Sequence, residues 1–247
     1  AVLILTPHHN HSDLVIKALN KGKAVYVEKP LALDMQSITD IEESIYRSEN
    51  PKLFIGFNRR FSKSAQFIKQ KLINNPANSI NLRFSVPPLD SDHWTNIKEI
   101  GGGRIVGEAV HGIDLACFLF DSLPQSISAS APVDKTNNMV KDNQVFLNIN
   151  FANGSHASLQ YFSEANQILS KERIEVHGEG NSYILEDFKM LRFLEGSQDR
   201  SKTFSTGKGH KESLSIFFDY VRDKSQNPFT WEEIKAVSKA AIIAQDH

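Results

Sequence analysis

Short apolar runs and longer amphipathic stretches alternate over the first sixty residues. Continuous apolar runs at 2–5, 24–27 and 53–55 predict strands that are buried on both faces. Between them, apolar positions recur at helical spacing, so we expect helices after Ser12 and Asp34, each of which can act as an N-cap. Strand, helix, strand, helix, strand at this spacing predicts βαβ units and a parallel sheet.

From residue 80 onward the apolar positions follow a period of two. This alternation covers 80–86, 145–151 and 157–161, and more weakly 174–176 and 183–185. Asn153-Gly154 between two of these runs predicts a hairpin, and the whole pattern predicts a mostly antiparallel sheet. Helical spacing predicts helices over 61–72, 105–120, 214–221 and 234–244. We therefore expect an α/β chain with two domains, residues 1–60 and residues 61–247.

Polar side chains follow each predicted strand of the parallel sheet. Thr6, His8, His9 and His11 follow the first strand, Glu28 and Lys29 the second, and Asn58 and Arg59 the third. Right-handed crossovers bring the carboxyl ends of parallel strands to one edge, where open α/β sheets bind ligands. The sequence therefore indicates a binding site at this edge. The alternative is that these strand ends only reach solvent.

A second group of polar residues lies in the helix predicted over 105–120. His111 and Asp114 are three residues apart and share a helix face with each other, and Glu108 lies one turn before them. A carboxylate beside an imidazole sets its tautomer and raises its basicity, as a general base requires. The alternative is a buried structural histidine. The preceding run of three glycines, 101–103, matches neither glycine-rich phosphate-binding motif.

Composition narrows the classes of partner. The 247 residues carry 28 Lys+Arg and 29 Asp+Glu, and this net charge of -1 offers no electrostatic footprint for nucleic acid or an anionic membrane. No apolar run reaches the ~18 residues of a membrane span. The single Cys117 cannot form an internal disulfide, which favours a reducing, cytoplasmic setting. His8, His9 and His11, even with His111, fit no zinc pattern, so we expect no metal.

Four motifs follow one another in the first 120 residues. They are Thr6-Pro7-His8-His9-Asn10-His11-Ser12, the run 22–32 with Glu28-Lys29-Pro30, Gly56-Phe57-Asn58-Arg59-Arg60-Phe61, and Gly101-Gly102-Gly103 through His111 and Asp114. Together they resemble the glucose-fructose oxidoreductase / inositol dehydrogenase / MocA family. The resemblance implies an N-terminal Rossmann domain and a C-terminal α/β domain with an open, mostly antiparallel sheet. It also implies hydride transfer between NAD or NADP and a sugar, polyol or related carbonyl compound.

The resemblance further implies roles for individual residues. Lys29 looks like the family's active-site lysine and His111 like its acid/base histidine, with Glu108 and Asp114 as their catalytic neighbours. The residues that would line the nicotinamide half of the cofactor site are Thr6, Pro7, His8, His11, Glu28, Lys29, Pro30, Asn58 and Arg59. A base near the substrate hydroxyl fits the chemistry, since hydride leaves carbon only as the hydroxyl proton is removed.

Two departures from the family pattern change the expectation. The family often has an Asp four residues before the histidine, where this chain has Gly107 followed by Glu108. This variant resembles a branch fused to a zinc-type alcohol dehydrogenase module. The GxGxxG turn is also missing, so we expect a truncated piece that holds the C-terminal half of a Rossmann sheet. Such a piece would bind dinucleotide weakly, turn over little, and leave 2–5 as an apolar edge prone to association.

Two other functions stay open. The chain could be a non-catalytic sugar-binding or scaffold module that has kept the fold, with Gly107 as its signature. It could also be an isomerase or lyase that recycles NAD internally. In each case the expected partners are a small sugar-like molecule and further copies of this chain, paired through the C-terminal sheet. The sequence does not distinguish NAD from NADP or identify the substrate.

Overall fold

Three short parallel strands form the first sheet of the computed structural model, which describes residues 1–90, 93–132, 144–205 and 207–246. They are β1 Val2–Ile4, β2 Val25–Val27 and β3 Leu53–Ile55, in the order β1-β2-β3. β2 and β3 are buried throughout, but Leu3 is 44% exposed and Leu5, just after β1, is 66% exposed. The parallel sheet is confirmed. Burial of the first run on both faces is wrong, because Leu3 and Leu5 are only partly covered by other residues.

Two helices cross over between these strands. They are α1 His11–Leu19 and α2 Met35–Arg47. Asp34 caps α2 as predicted, since its carboxylate accepts a hydrogen bond from the backbone N–H of Ser37 at 2.8 Å. The predicted cap at Ser12 is wrong: a 3₁₀ turn, His8–Asn10, leads straight into α1 and places Ser12 inside the helix. Backbone turn geometry, rather than a side-chain cap, starts this helix.

A second, eight-stranded sheet is built from strands between residues 79 and 203. Its strands are β4 Ser79–Ser85, β5 Pro124–Ser130, β6 Val145–Phe151, β7 His156–Phe162, β8 Glu172–Gly178, β9 Asn181–Glu186, β10 Met190–Glu195 and β11 Gln198–Thr203. The order is β11-β10-β9-β8-β4-β7-β6-β5, and only β4 and β7 pair in parallel. The mostly antiparallel sheet and the hairpin at Asn153-Gly154 are confirmed. The apolar pattern missed β5, β10 and β11, and β11 is exposed at every residue.

Three helices between β3 and β5 in the sequence position the site. They are α3 Lys63–Leu72, α4 Lys98–Gly101 and α5 Val110–Phe120. The helix predicted over 105–120 begins as a π-helical turn, Ile105–Ala109, which continues into α5. α5 packs so closely on the large sheet that a Cβ on Gly112 would lie 2.2 Å from Leu159 Cδ1. This close approach requires glycine and fixes the height of the π turn above the sheet.

The last two helices return to the first sheet. They are α6 His210–Val221 and α7 Trp231–Gln245. The ring of Phe217 lies 5.5 Å from that of Tyr26, and the ring of Phe229 lies 5.0 Å from that of Phe54. The chain therefore makes core contacts between residues on both sides of residue 60. The division into two domains at that residue stays a prediction. No helix in the described ranges is both long and apolar enough to cross a membrane.

Candidate active site

The carboxyl ends of the three parallel strands meet the π turn and the start of β8. Lys29 lies two residues after the end of β2, and its peptide bond to Pro30 is cis. Its ammonium nitrogen donates hydrogen bonds to the Gly107 carbonyl at 2.6 Å and to Glu108 Oε1 at 2.7 Å. The Gly107 carbonyl belongs to the π turn, in which residues five apart pair, as the Val110 N–H does with the Ile105 carbonyl.

The ion pair between Lys29 and Glu108 is largely shielded from water. The two side chains are 14% and 29% exposed. Burial opposes the charge on Glu108, but the ammonium of Lys29 outweighs it and holds the pKa of the Glu108 carboxyl at about 2. The pair is therefore ionised at neutral pH, and Lys29 is held in one position by two acceptors.

His8 occupies the space that a side chain at position 107 would need. A Cβ built on Gly107 would lie 3.1 Å from His8 Cε1. His8 Nδ1 donates to the Gly101 carbonyl at 2.8 Å, and the ring meets Trp94 edge-on at 4.7 Å. Burial lowers the pKa of His8 to about 4, and the charge of Lys29 adds to the effect. Gly107 thus makes room for a neutral imidazole in the wall of the cleft.

His11 joins the loops that follow β1 and β2. Its ring is fully buried, with Nδ1 2.7 Å from the Pro30 carbonyl and Nε2 2.9 Å from the Thr6 carbonyl. Thr6 and Pro7 themselves are exposed. The imidazole therefore supports this loop from beneath, and the role of His11 in cofactor binding stays a prediction.

His111 lies at the centre of the cleft without the partner that the sequence predicted. Both carboxylate oxygens of Asp114 accept hydrogen bonds from Arg60, at 2.5 and 3.2 Å. His111 Nδ1 is buried, and no hydrogen-bond partner for it exists among the described residues. The expectation that Asp114 orients His111 is wrong, because Arg60 competes for the carboxylate and binds it with two N–H groups.

Burial also keeps His111 neutral. It lowers the pKa of the imidazole well below its ordinary value, and the positive charges of Arg59, Lys29 and Lys208 act in the same direction. A neutral histidine has one ring nitrogen with a free lone pair, which can accept a proton. His111 therefore meets the first requirement of a general base.

Asn58 and Arg59 bind residues that the sequence analysis did not single out. Arg59 donates to both oxygens of Glu172, at 3.0 and 3.3 Å, and Lys208 forms an ion pair with the same carboxylate. Asn58 Nδ2 donates to the Lys208 carbonyl at 2.7 Å. These contacts draw the segment before α6 into the cleft wall.

Glu172 was detectable in the sequence, whereas its second partner, Lys208, was not. It falls on the inward phase of the alternation that also buries Ile174 and Val176, so it is a carboxylate at a core position. A buried carboxylate requires a cationic partner. Nothing in the local pattern around Lys208, Lys171 or Trp94 marks them, because the fold brings them to the cleft from distant segments.

Glu28 lies on the side of the cleft formed by the first sheet. Its carboxylate packs against the backbone of Gly56, where a Cβ would lie 2.7 Å from Glu28 Oε2. The Tyr26 hydroxyl donates to Glu28 Oε1 at 3.3 Å. In the residues that the structure describes, no group of three His, Cys, Asp or Glu side chains is arranged to hold a metal ion.

Two family profiles match most of the chain. The profile described as the oxidoreductase family, NAD-binding Rossmann fold, matches residues 1–57, and that of the GFO/IDH/MocA C-terminal domain matches residues 75–184. The chain belongs to the Gfo/Idh/MocA family of oxidoreductases. Its cofactor is accordingly NAD or NADP. The relation to a branch fused to a zinc-type alcohol dehydrogenase stays a prediction.

Curated relatives in the Gfo/Idh/MocA family include dehydrogenases of cyclic polyols. The chain is 28% identical over 234 residues to inositol 2-dehydrogenase from Rhizobium meliloti, covering 83% of this chain and 68% of the relative. It is 29% identical over 228 residues to oxidoreductase P35 from Formosa agariphila, covering 88% of this chain and 59% of the relative. The chain therefore spans about three fifths to two thirds of the length of these relatives.

Solved structures share the fold of this Gfo/Idh/MocA chain. A putative myo-inositol dehydrogenase from Sinorhizobium meliloti superposes with a TM-score of 0.79 at 21% identity, covering 100% of this chain and 78% of the other. Aldose-aldose oxidoreductase from Caulobacter crescentus superposes with a TM-score of 0.84 at 16% identity, covering 99% and 76%. At these identities the likeness establishes the fold alone.

Proposed function

We propose that this chain carries the catalytic cleft of an NAD(P)-dependent oxidoreductase that acts on a sugar, a polyol or a related hydroxy or keto compound. The observation that carries the proposal is the meeting of Lys29 and His111 at the ligand-binding edge of the parallel sheet. Lys29 supplies a fixed cationic donor, and the neutral His111 supplies a buried nitrogen without a protein partner. Hydride transfer from a secondary alcohol needs both kinds of group.

The edge of the first sheet fits the nicotinamide half of the cofactor. The exposed loop at Thr6 and Pro7, supported by His11, would lie along it, together with the turn at Glu28–Pro30. When bound, NAD(P) supplies the hydride acceptor or donor. The described residues contain no glycine-rich turn for the pyrophosphate, so we expect this chain to bind dinucleotide weakly by itself.

Lys29 and His111 have different roles at the substrate oxygen: Lys29 donates a hydrogen bond to it, and His111 exchanges a proton with it. Two of the three ammonium hydrogens of Lys29 bind Gly107 and Glu108, and the third can donate to the substrate oxygen. His111 accepts the hydroxyl proton during oxidation and returns it during reduction. Glu108 does not transfer a proton, because its pKa of about 2 keeps it ionised; it is a positioning residue for Lys29.

The first test measures cofactor binding and turnover. NADH and NADPH fluorescence titrations of this chain are compared with those of a version extended upstream, followed by oxidation of inositols and aldoses with NAD⁺ and NADP⁺. In whichever form turns over, Lys29→Met and His111→Gln should lower kcat at least 100-fold, with circular dichroism unchanged. The exposed His156, changed to Gln, is the matched control.

Other outcomes identify the alternative functions. Sugar binding without turnover, unaffected by Lys29→Met and His111→Gln, would contradict the enzyme and support a non-catalytic module. Bound cofactor with no net NADH production would point to internal recycling. Pairing of copies through the outer face of the eight-stranded sheet stays a prediction, which sedimentation velocity would test.

A further inference from the structure

Positive charge surrounds the buried nitrogen of His111. Besides burial, the groups that lower its pKa are Arg59, Lys29, His210 and Lys208, all of them cationic or able to become so. Nδ1 of this buried ring has no hydrogen-bond partner in the described ranges. A buried polar atom without a partner is uncommon in native proteins and points to a ligand or water that completes it.

Lys171 adds a further cation at the mouth of the same cleft. Its backbone carbonyl accepts a hydrogen bond from the Ser85 N–H at 2.7 Å, which fixes the residue just before β8. Its side chain is exposed and forms no ion pair with any carboxylate of the described chain. Its charge nevertheless acts on Glu108 across the cleft and lowers the pKa of that carboxyl.

The carboxylates nearest to these cations are already engaged. Glu108 pairs with Lys29. Glu172 lies between Arg59 and Lys208 and pairs with both, so one carboxylate serves two cations. Both carboxylates are therefore already in ion pairs with other cations.

Glu28 makes no ion pair with these cations in the described structure. Tyr26 and the backbone of Gly56 hold it on the first sheet, and its charge acts on His210. The permanent cations around the cleft are Lys29, Arg59, Lys171 and Lys208; Lys29 pairs with Glu108, and Arg59 and Lys208 pair with Glu172. Lys171 is the one of the four without an ion pair among the described residues, and it is the most accessible to a ligand.

We propose that the substrate of this cleft carries an anionic group, a carboxylate or a phosphate, which Lys171 and Lys208 bind beside His111. The inference rests on the proposed oxidoreductase function. It narrows the substrate from sugars and polyols in general to acidic ones, such as sugar acids or sugar phosphates. An ammonium group binds both kinds of anion as a point charge, so the geometry does not distinguish carboxylate from phosphate.

A bound anion would also change the reactivity of His111. The cations that disfavour protonation of the imidazole would be offset by the anion at Lys171. His111 would therefore be a stronger base in the presence of an acidic substrate than in the free protein. A neutral sugar would leave the imidazole unchanged and would be a poorer substrate.

Ligand binding without cofactor tests the inference. The His111 Cε1–H resonance is assigned with His111→Gln and followed by NMR during titration with inorganic phosphate, acetate, glucose, glucuronate and glucose 6-phosphate. We expect saturable shifts with the anions, and a Kd for an acidic sugar at least tenfold below that for glucose. Lys171→Met should weaken binding of the acidic sugar about tenfold, whereas the exposed Lys17 on α1, changed to Met, should have no effect.

Each outcome decides the question. Tighter binding of phosphate and glucose 6-phosphate, or of acetate and glucuronate, supports the site and identifies the anionic group. Equal Kd values for glucose and the acidic sugars, no saturable shift, or no effect of Lys171→Met overturns it. So does a Lys171→Met variant that loses affinity only for NADPH, because the cation would then belong to the cofactor.

The inference and the proposed function fail separately. Anion binding in a protein, of either length, that never binds NADH or NADPH would contradict the oxidoreductase and leave the anion site in place. Cofactor binding and turnover of neutral sugars without anion binding would support the oxidoreductase and contradict the anion site.

Discussion

Two adjacent arginines, Arg59 and Arg60, enter two networks of opposite character. Arg60 binds Asp114 at 2.5 Å, reaches Glu233 at 3.4 Å and lies 4.5 Å from the centre of the Phe229 ring. Arg59 binds Glu172, which it shares with Lys208. The first network has two carboxylates for one cation and holds helices together. The second has more cations than carboxylates. The two networks therefore have excess charge of opposite sign, and only the cationic one lies beside His111 in the cleft.

The sharpest test of this difference removes each arginine in turn. Arg60→Met leaves Asp114 buried without a cation, and we expect the free energy of unfolding to fall by about 3–5 kcal/mol. Arg59→Met should cost about half as much, because Lys208 still neutralises Glu172. Urea denaturation followed by circular dichroism measures both. A loss from Arg59→Met as large as that from Arg60→Met would remove the distinction between the networks.

Neutral histidine in the cleft wall predicts a loss of stability in acid. The pKa of His8 is about 4 in the folded protein, below the ordinary 6.5, so the folded state binds its proton less readily. Stability is therefore fully present above pH 6.5 and falls by about 3 kcal/mol as the pH drops to 4. His8→Gln should flatten this part of the pH profile, and the exposed His9, changed to Gln, should leave it as it is. A steep profile in both variants would assign the effect to other groups.

The ion pair at the π turn should contribute less than the Arg60 network. Glu108→Gln is expected to cost about 1–2 kcal/mol at pH 7, because the pair is partly exposed to water. The pKa of Glu108 is depressed, so its contribution is present above pH 4.5 and is lost as the pH falls toward 2. Unfolding of the variant and of the parent protein should therefore converge in acid. A constant difference from pH 7 to pH 3 would mean that charge is not the cause.

The smallest effect concerns Lys171. Lys171→Met should leave the free energy of unfolding within about 0.5 kcal/mol of the parent, because the attraction of Glu108 and Glu172 for Lys171 is opposed by the repulsion from Lys208 and Arg59. Unchanged stability together with lost ligand affinity is the result expected of a residue that acts on the ligand. Thermal unfolding of Lys171→Met and Lys17→Met measures it. A large loss would make Lys171 part of the scaffold.

Local pattern predicted much of the fold, and its failures have local causes. The period of two identified β6 and β7, whose inward residues are apolar. It missed β11, because a strand exposed on both faces carries no alternation. Ser12 failed as a cap because a preceding 3₁₀ turn, which no capping rule describes, had already started α1. Each error concerns an element whose position is set by something other than its own buried face.

The site was predictable only where its residues belong to recognisable sequence motifs. Lys29, Glu108 and His111 were identified from motifs, and the structure brings them into one cleft. The pairing of Asp114 with His111 failed, since helical spacing shows which residues share a face but not which cation arrives from another turn. Arg60 is 54 residues away from Asp114 in sequence.

The return of α6 and α7 to the first sheet has a consequence for synthesis on the ribosome. Phe217 and Phe229, which cover Tyr26 and Phe54, lie more than 150 residues further along the chain. At common translation rates those aromatic rings emerge about ten to thirty seconds after the sheet they cover. During that interval the nascent sheet presents its aromatic face to solvent. The aromatic face of the first sheet is therefore completed only after Phe229 has left the ribosome.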